Sequence, residues 1–277
     1  MNYNYQSKLP ALYHQSAKDF VVIAHRGASA YSPENTMAAF YMAYEMKADM
    51  IELDVLITKD GIPVVTHDPE VDRKTDGTGE VNRYTLAELQ KLDAGSWFAK
   101  KYAGERMPAL EEVLQWAKDR IAINIEIKRE AVGQHINGGV EEKVVELVRK
   151  YQMEQHVLLS SFSYEAVGRI KKLAPEFSTG LLYDKKAPVN STPFALTKQY
   201  LSDSFNCKWR ELKTRWRREL QENGIPIFIY TVNSKFWMKK MIGAGVSGIF
   251  SDHPDRLREI AIRELGKRDY KFRSSHK

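Results

Sequence analysis

Cysteine is nearly absent: Cys207 is the only one in 277 residues. An intrachain disulfide and a cysteine-built metal cluster are therefore excluded. No stretch approaches the roughly 18 consecutive apolar residues of a membrane-spanning helix, so stable membrane insertion is not expected. The N-terminal run MNYNYQSKLPALYHQSAKDF lacks the apolar segment of a secretory signal. Cytoplasmic residence is the expectation, secretion requiring a signal removed beforehand. No internal repeat and no low-complexity segment interrupts the chain. Charge of one sign does not dominate either: 42 Lys+Arg stand against 36 Asp+Glu, a net +6. That mild excess favours an anionic substrate. Without a basic stripe interleaved with stacking aromatics, it does not point to nucleic acid.

What is present is an ordinary globular composition, 43% apolar and 28% charged, able to bury a large core. Short β-rich runs alternate with helical patterns. The expected strands are 20–24, 49–54, 122–127, 157–161, 179–183, 200–205, 227–232 and 248–251. Most are nearly continuous apolar runs, as strands buried on both faces should be. Between the first two, Met37, Phe40, Tyr41 and Tyr44 recur at helical spacing from Thr36 to Lys47, with Ser32 as the expected N-cap and Pro33 in the first turn. Eight such units predict an α/β protein: a single (β/α)8 TIM barrel over 1–277. An insertion at about 55–108 follows the second strand. It opens with a hairpin turning at Asp60-Gly61 and holds a helical turn around Leu86–Leu92. A basic tail, 266–277, is expected to fray.

Charged side chains gather where strands end. The first strand ends in His25-Arg26-Gly27, the second in Glu52-Leu53-Asp54, the hairpin in His67-Asp68, and the third barrel strand in Glu126-Ile127-Lys128. Barrel enzymes carry their active sites at that end of the strands. Glu52 and Asp54, two apart, face the same side, as do Glu126 and Lys128. Taken singly, each has a bland reading: a rim His-Arg pair, a salt-bridged ELDV strand, a Glu126–Lys128 structural ion pair. Together, charge placed against greasy strands reads as a site, because such charge is costly unless paired. Three carboxylates without cysteine suit one hard divalent cation, Mg²⁺ or Ca²⁺. Arg and Lys suit a phosphate, and two histidines suit general acid and base near neutrality. The combination describes hydrolysis of a phosphate ester.

The blocks HRGASAYSPENTMAAF, IELDVLITKDGIPVVTHD and INIEIK resemble the signature blocks of glycerophosphodiester phosphodiesterases. LDAGSWFAKKYAGERMPALEEVL resembles that family's insertion and following helix; LLSSFSYEAVGRIKKLAP, IYTVN and GIFSDHPD fit its C-terminal half. The likeness runs from about residue 20 to about 257, and is loose over 185–218. It implies a (β/α)8 barrel and a small-molecule substrate, a glycerophosphodiester cleaved to sn-glycerol 3-phosphate and an alcohol. It further implies His25 and His67 as acid/base pair, Glu52, Asp54 and Glu126 as metal ligands, and Arg26 and Lys128 as holders of phosphate oxygens, with Glu34 and Asn35 shaping the first loop. Tyr230 stands where the family often has Trp, and Ser251 where it often has Thr, so Tyr230 is a substrate-lining candidate. Phe98, with Trp97, is either insertion core or an apolar wall for the alcohol. Two other functions remain in play: a lysophospholipase D-like enzyme using the same centre, which needs a groove for an acyl chain, and an inactive phosphate-binding barrel, which would be expected to have lost a histidine or a metal ligand.

Elsewhere the readings are bland. KWRELKTRWRR, 208–218, predicts an amphipathic outer helix carrying Trp209, Leu212, Trp216 and Leu220, with a solvated basic face rather than a membrane-binding one. Cys207 is expected to be buried and inert. His14, His135, His156, His253 and His276 lack a partnering motif.

Overall fold

The computed structural model describes residues 20–185 and 191–274, the side chains beyond 266 excepted. Val21–Ala24 (β1), Met50–Ile57 (β2), Ala122–Ile127 (β4), Val157–Ser161 (β5), Ser178–Leu182 (β6), Ser204–Lys208 (β7), Ile227–Tyr230 (β8) and Gly248–Ser251 (β9) are parallel neighbours in that order, and β9 pairs with β1 to close a barrel. Pro63–Val65 (β3) is the exception, antiparallel to β2 with Val55 opposite Val65. It completes the expected hairpin, whose turn has Gly61 at φ 76°.

Alternation along the strands creates two environments. One face packs inside the barrel, where Val21, Ile23, Met50, Ala122, Leu158, Phe228 and Phe250 form a core plug. The other packs under the helices, where a larger apolar cluster covers β1 to β5 and a second covers β6 to β9. Burying both faces is what made the strands read as unbroken apolar runs. The insertion has its own small core of Leu56, Val64, Val71, Val81, Leu89, Ala94 and Met107, and its α-helical turn spans Leu86–Leu89.

Three expectations are corrected. The first helix, Met37–Glu45 (α1), is capped by Thr36, whose side chain accepts from the Ala39 N–H, and not by Ser32. Pro33 precedes the helix, and its carbonyl accepts from Thr36 Oγ1. The chain reaches Thr36 through Asn35 at φ 58°, and that left-handed residue separates Ser32 from the helix axis. The sixth barrel strand, β7, is Ser204–Lys208 rather than 200–205. Leu201 sits at φ 55° and ends the preceding helix, Pro193–Gln199. Asp203 then accepts from the Thr179 N–H at 2.8 Å and pairs with Lys171 at 2.7 Å, a buried polar anchor below the strand. Finally, the basic helix covers Thr214–Glu222. Lys208 still belongs to β7, and Trp209 lies in the connecting turn, where it stacks on Trp237 with ring centroids 4.1 Å apart.

The closing helix spans Pro254–Ser274 and takes in the first part of the basic tail; residues 275–277, His276 among them, and His14 lie outside the described set. Among the described residues no helix is long and apolar enough to cross a membrane. Cys207 is fully buried, and burial pushes its thiol proton well above the usual range.

Candidate active site

At the C-terminal mouth of the barrel, His25, Arg26, Glu52, His67, Glu126 and Lys128 line one cleft of about 180 Å³. The first turn after β1 explains how His25 and Arg26 are presented. Arg26 takes φ 56° and Gly27 φ 82°. Residue 27 has no room for a side chain, because a Cβ there would lie 2.7 Å from Ala39 atoms. This turn aims the Arg26 backbone N–H at Glu52 Oε2, 2.8 Å away. The Arg26 guanidinium donates to Glu34 at 2.9 Å, while its Nε lies 3.2 Å from Asp54 Oδ2 without hydrogen-bond alignment.

Glu52, Asp54 and Glu126 are all buried, with a carboxylate oxygen of each within 4.8 Å of the others. Their environments differ. Against the cost of burial, Lys128, Arg26, His67 and an Asn35 hydrogen bond of 2.9 Å keep Asp54 ionised far below the usual carboxylate range. Burial together with the charges of Asp54 and Glu126 raises Glu52 well above that range, despite Arg26. Burial and Asp54 push Glu126 up to about 7, against the pull of Lys128. Lys128 Nζ bridges Glu126 at 2.9 Å and Asp54 at 3.3 Å. Three oxygen donors so crowded that two resist ionisation fit a hard divalent cation, which would relieve the repulsion.

Each histidine is held through Nδ1. His25 Nδ1 lies 2.7 Å from Asp252 Oδ1, and Asp252 also accepts from Ser29 Oγ at 3.1 Å and Asn233 Nδ2 at 2.5 Å. His67 Nδ1 lies 2.8 Å from Asp68 Oδ1, while the other Asp68 oxygen accepts from Arg73 NH2 at 2.6 Å. In both cases the ring nitrogen outside that contact is Nε2. Burial lowers His67 below the ordinary histidine value, Arg26 and Lys128 adding to the effect and Asp54 and Asp68 opposing it. Asp252 stays ionised with a pKa of about 2: its burial is outweighed by His25, Asn233 and Ser29.

Tyr230 lines the cleft beside Phe162, Leu182 and Phe250, and its hydroxyl donates to the Tyr183 carbonyl at 3.0 Å. Phe98 does not line it. Phe98 packs edge-on against Trp97 and Tyr102 in the insertion, with Lys74 Nζ 3.6 Å from the Trp97 ring centroid. Neither Trp97 nor Phe98 belongs to the insertion core. Asp252, Asn233, Asp68 and Arg73 received no role from the sequence. The signal for Asp252 was available in principle, because barrel closure sets Ala24 opposite Ser251 and so His25 beside Asp252.

Residues 25–256 match the model of the glycerophosphoryl diester phosphodiesterase family. A glycerophosphodiester phosphodiesterase of Caldanaerobacter subterraneus subsp. tengcongensis is 42% identical over 86% of this chain and 96% of its own. A lysophospholipase D of Homo sapiens is 30% identical over 91% of this chain and 90% of its own. Among solved structures, an Oleispira antarctica phosphodiesterase in complex with the product sn-glycerol-3-phosphate superposes with a TM-score of 0.75 at 28% identity, covering 86% of this chain and 95% of that one.

Proposed function

The chain belongs to the glycerophosphoryl diester phosphodiesterase family, and from that premise we propose that it hydrolyses glycerophosphodiesters to sn-glycerol 3-phosphate and a free alcohol by metal-assisted, two-histidine catalysis. The observation that carries this reading is the meeting of three buried carboxylates, two cations and two buttressed histidines in one cleft. Glu52, Asp54 and Glu126 would hold one divalent cation, Mg²⁺ or Ca²⁺, which supplies positive charge against the phosphoryl oxygens when bound. Arg26 and Lys128 bind and orient the non-bridging oxygens. One histidine withdraws the proton from the attacking oxygen as its bond to phosphorus forms; the other delivers a proton to the alcohol oxygen as that bond breaks. The buttresses suggest the division of labour. Asp252 holds His25 through Nδ1 and has only the neutral Ser29 and Asn233 as its other partners, and His25 is assigned the proton donation. Asp68 is shared with the Arg73 cation, and His67 is lowered by burial, which suits proton acceptance.

A lysophospholipid substrate is the second reading, favoured by the relative of that name. The cleft is lined mainly by charged and polar side chains, His25, Arg26, Glu52, His67, Glu126 and Lys128 among them, which supports a short polar substrate. Glycerophosphocholine, glycerophosphoethanolamine and glycerophosphoglycerol are expected to turn over faster than lysophosphatidylcholine in a side-by-side assay; the reverse order would establish the second reading.

Exhaustive dialysis against EDTA is expected to abolish turnover, with Mg²⁺ or Ca²⁺ restoring it. The same ion should raise the unfolding temperature of the dialysed protein, by a stabilisation of about 2.7 kcal/mol at a hundredfold excess over Kd. Full activity in EDTA, or a melting temperature indifferent to either ion, would remove the metal from the mechanism. Arg26→Ala is expected to lose kcat/KM for every diester tested, whatever its alcohol. A loss confined to one alcohol would place Arg26 in the leaving-group pocket instead.

A further inference from the structure

Beside the catalytic cleft runs a second depression, about 290 Å³, which shares Glu126, Lys128 and Phe162 with it and extends to Tyr183 and Glu211. A diester bound by Arg26 and Lys128 has two arms, and this groove is open to the one that leaves the catalytic cleft. Among mostly charged lining residues it carries two aromatic rings, Phe162 and Tyr183, and Phe162 is fixed edge-on to Tyr230 with centroids 6.0 Å apart. Of the charges along it, Arg129 is engaged by the Phe162 carbonyl at 2.9 Å and by Asp184 at 3.9 Å, while Lys185 and Lys208 are exposed at the rim.

Glu211 is different. It sits in the turn after β7, part-buried, and among the described residues its carboxylate has neither an ion pair nor a hydrogen bond; its Oε2 is wholly shielded from solvent and unsatisfied. Its charge is felt inward: after burial itself, Glu211 is among the influences that raise the hydroxyls of Tyr183 and Tyr230 and the thiol of Cys207. A shielded carboxylate oxygen without a partner is costly to the fold, and a carboxylate sharing a groove with aromatic rings is a combination by which proteins receive ammonium groups.

We infer that this groove is the leaving-group subsite, and that Glu211, with the rings of Phe162 and Tyr183, selects alcohols bearing a cationic nitrogen, such as ethanolamine and choline, over neutral polyols. The inference rests on the glycerophosphodiesterase reading above and adds to it the identity of the alcohol. Glu211 is a specificity residue: it touches the departing group and not the phosphorus.

The test is kcat/KM of wild type and Glu211→Gln, both with the divalent cation present, on glycerophosphoethanolamine, glycerophosphocholine and glycerophosphoglycerol. Glutamine keeps the shape and removes the charge. The expected result is a loss of about tenfold on the two cationic substrates and a change under twofold on glycerophosphoglycerol. An equal change on all three, or none, overturns the subsite. Wild-type protein inactive on the whole panel overturns the glycerophosphodiesterase reading itself, which separates the two failures. Should the variant not fold, the wild type alone decides. Choline is expected to inhibit glycerophosphoglycerol hydrolysis competitively, and its neutral isostere 3,3-dimethylbutan-1-ol is not; equal inhibition by both overturns the subsite.

Discussion

Replacing either His25 or His67 with alanine is expected to lower kcat by about a hundredfold or more, and replacing both should cost less than the product of the two. The non-additivity follows from the chemistry: once one proton transfer is lost, the other histidine no longer acts on the rate-limiting step. The two variants should part on a substrate with an acidic leaving group. A glycerophosphodiester of p-nitrophenol departs without needing a proton, so it should largely rescue His25→Ala and leave His67→Ala impaired. Rescue of His67→Ala instead would exchange the assigned roles. Near-normal activity of His67→Ala on ordinary substrates would make the hairpin structural and leave His25 alone in proton transfer. The buttresses give an independent check. Asp252→Asn keeps the hydrogen-bonding shape around His25 and removes the charge, so it should lower kcat with little change in KM, as a positioning residue does.

The second large effect sets the three clustered carboxylates against one another. Asp54→Asn is expected to destabilise the metal-free protein by about 1–3 kcal/mol, because the buried Lys128 and the part-buried Arg26 lose the anion they share and keep only Glu126 and Glu34. Glu52→Gln should do the opposite or nothing, since burial and two neighbouring carboxylates already oppose its charge. Both variants should lose metal binding and activity, so urea unfolding in EDTA distinguishes them where an assay does not. Glu126 adds a pH dependence of definite sign. Raised from 4.5 to about 7, it holds a proton in the folded state that the unfolded chain has released. Metal-free stability should therefore fall as pH rises through that window. Glu126→Gln should flatten the fall, and a saturating divalent cation should suppress it. Equal stability of Asp54→Asn and Glu52→Gln would show that the three carboxylates share one environment, contrary to the distances seen here.

Much of this was readable from the chain because barrel strands are buried twice. That constraint writes an apolar run with a charge at its end, and HRG, ELD and EIK are such ends. The late half was harder. Around 200–205 the residues look apolar enough for a strand, yet a left-handed Leu201 and the buried Asp203 anchor delay the strand to Ser204. The cap of the first helix was misplaced because SPENT offers two hydroxyls four residues apart, and the choice is made by the left-handed Asn35 between them. The buttresses of the histidines were hidden for a different reason. Asp68 adjoins His67, but nothing local says that Arg73 shares it. Asp252 meets His25 across 227 residues, and only closure of the barrel joins them. Phe98 packs on Tyr102 in the insertion and is not among the residues lining the cleft.

The closing pair also bears on how the protein is made. Ribosomes deliver the N-terminal end first, so His25, Glu52 and His67 emerge early, while Asn233 and Asp252 come from the last fifth of the described chain. A nascent chain, or one cut short before β9, carries every charged group assigned to the phosphate and the metal, yet lacks the strand that seals β1 and the carboxylate that steadies its histidine. Hydrolysis should therefore switch on only when the barrel shuts.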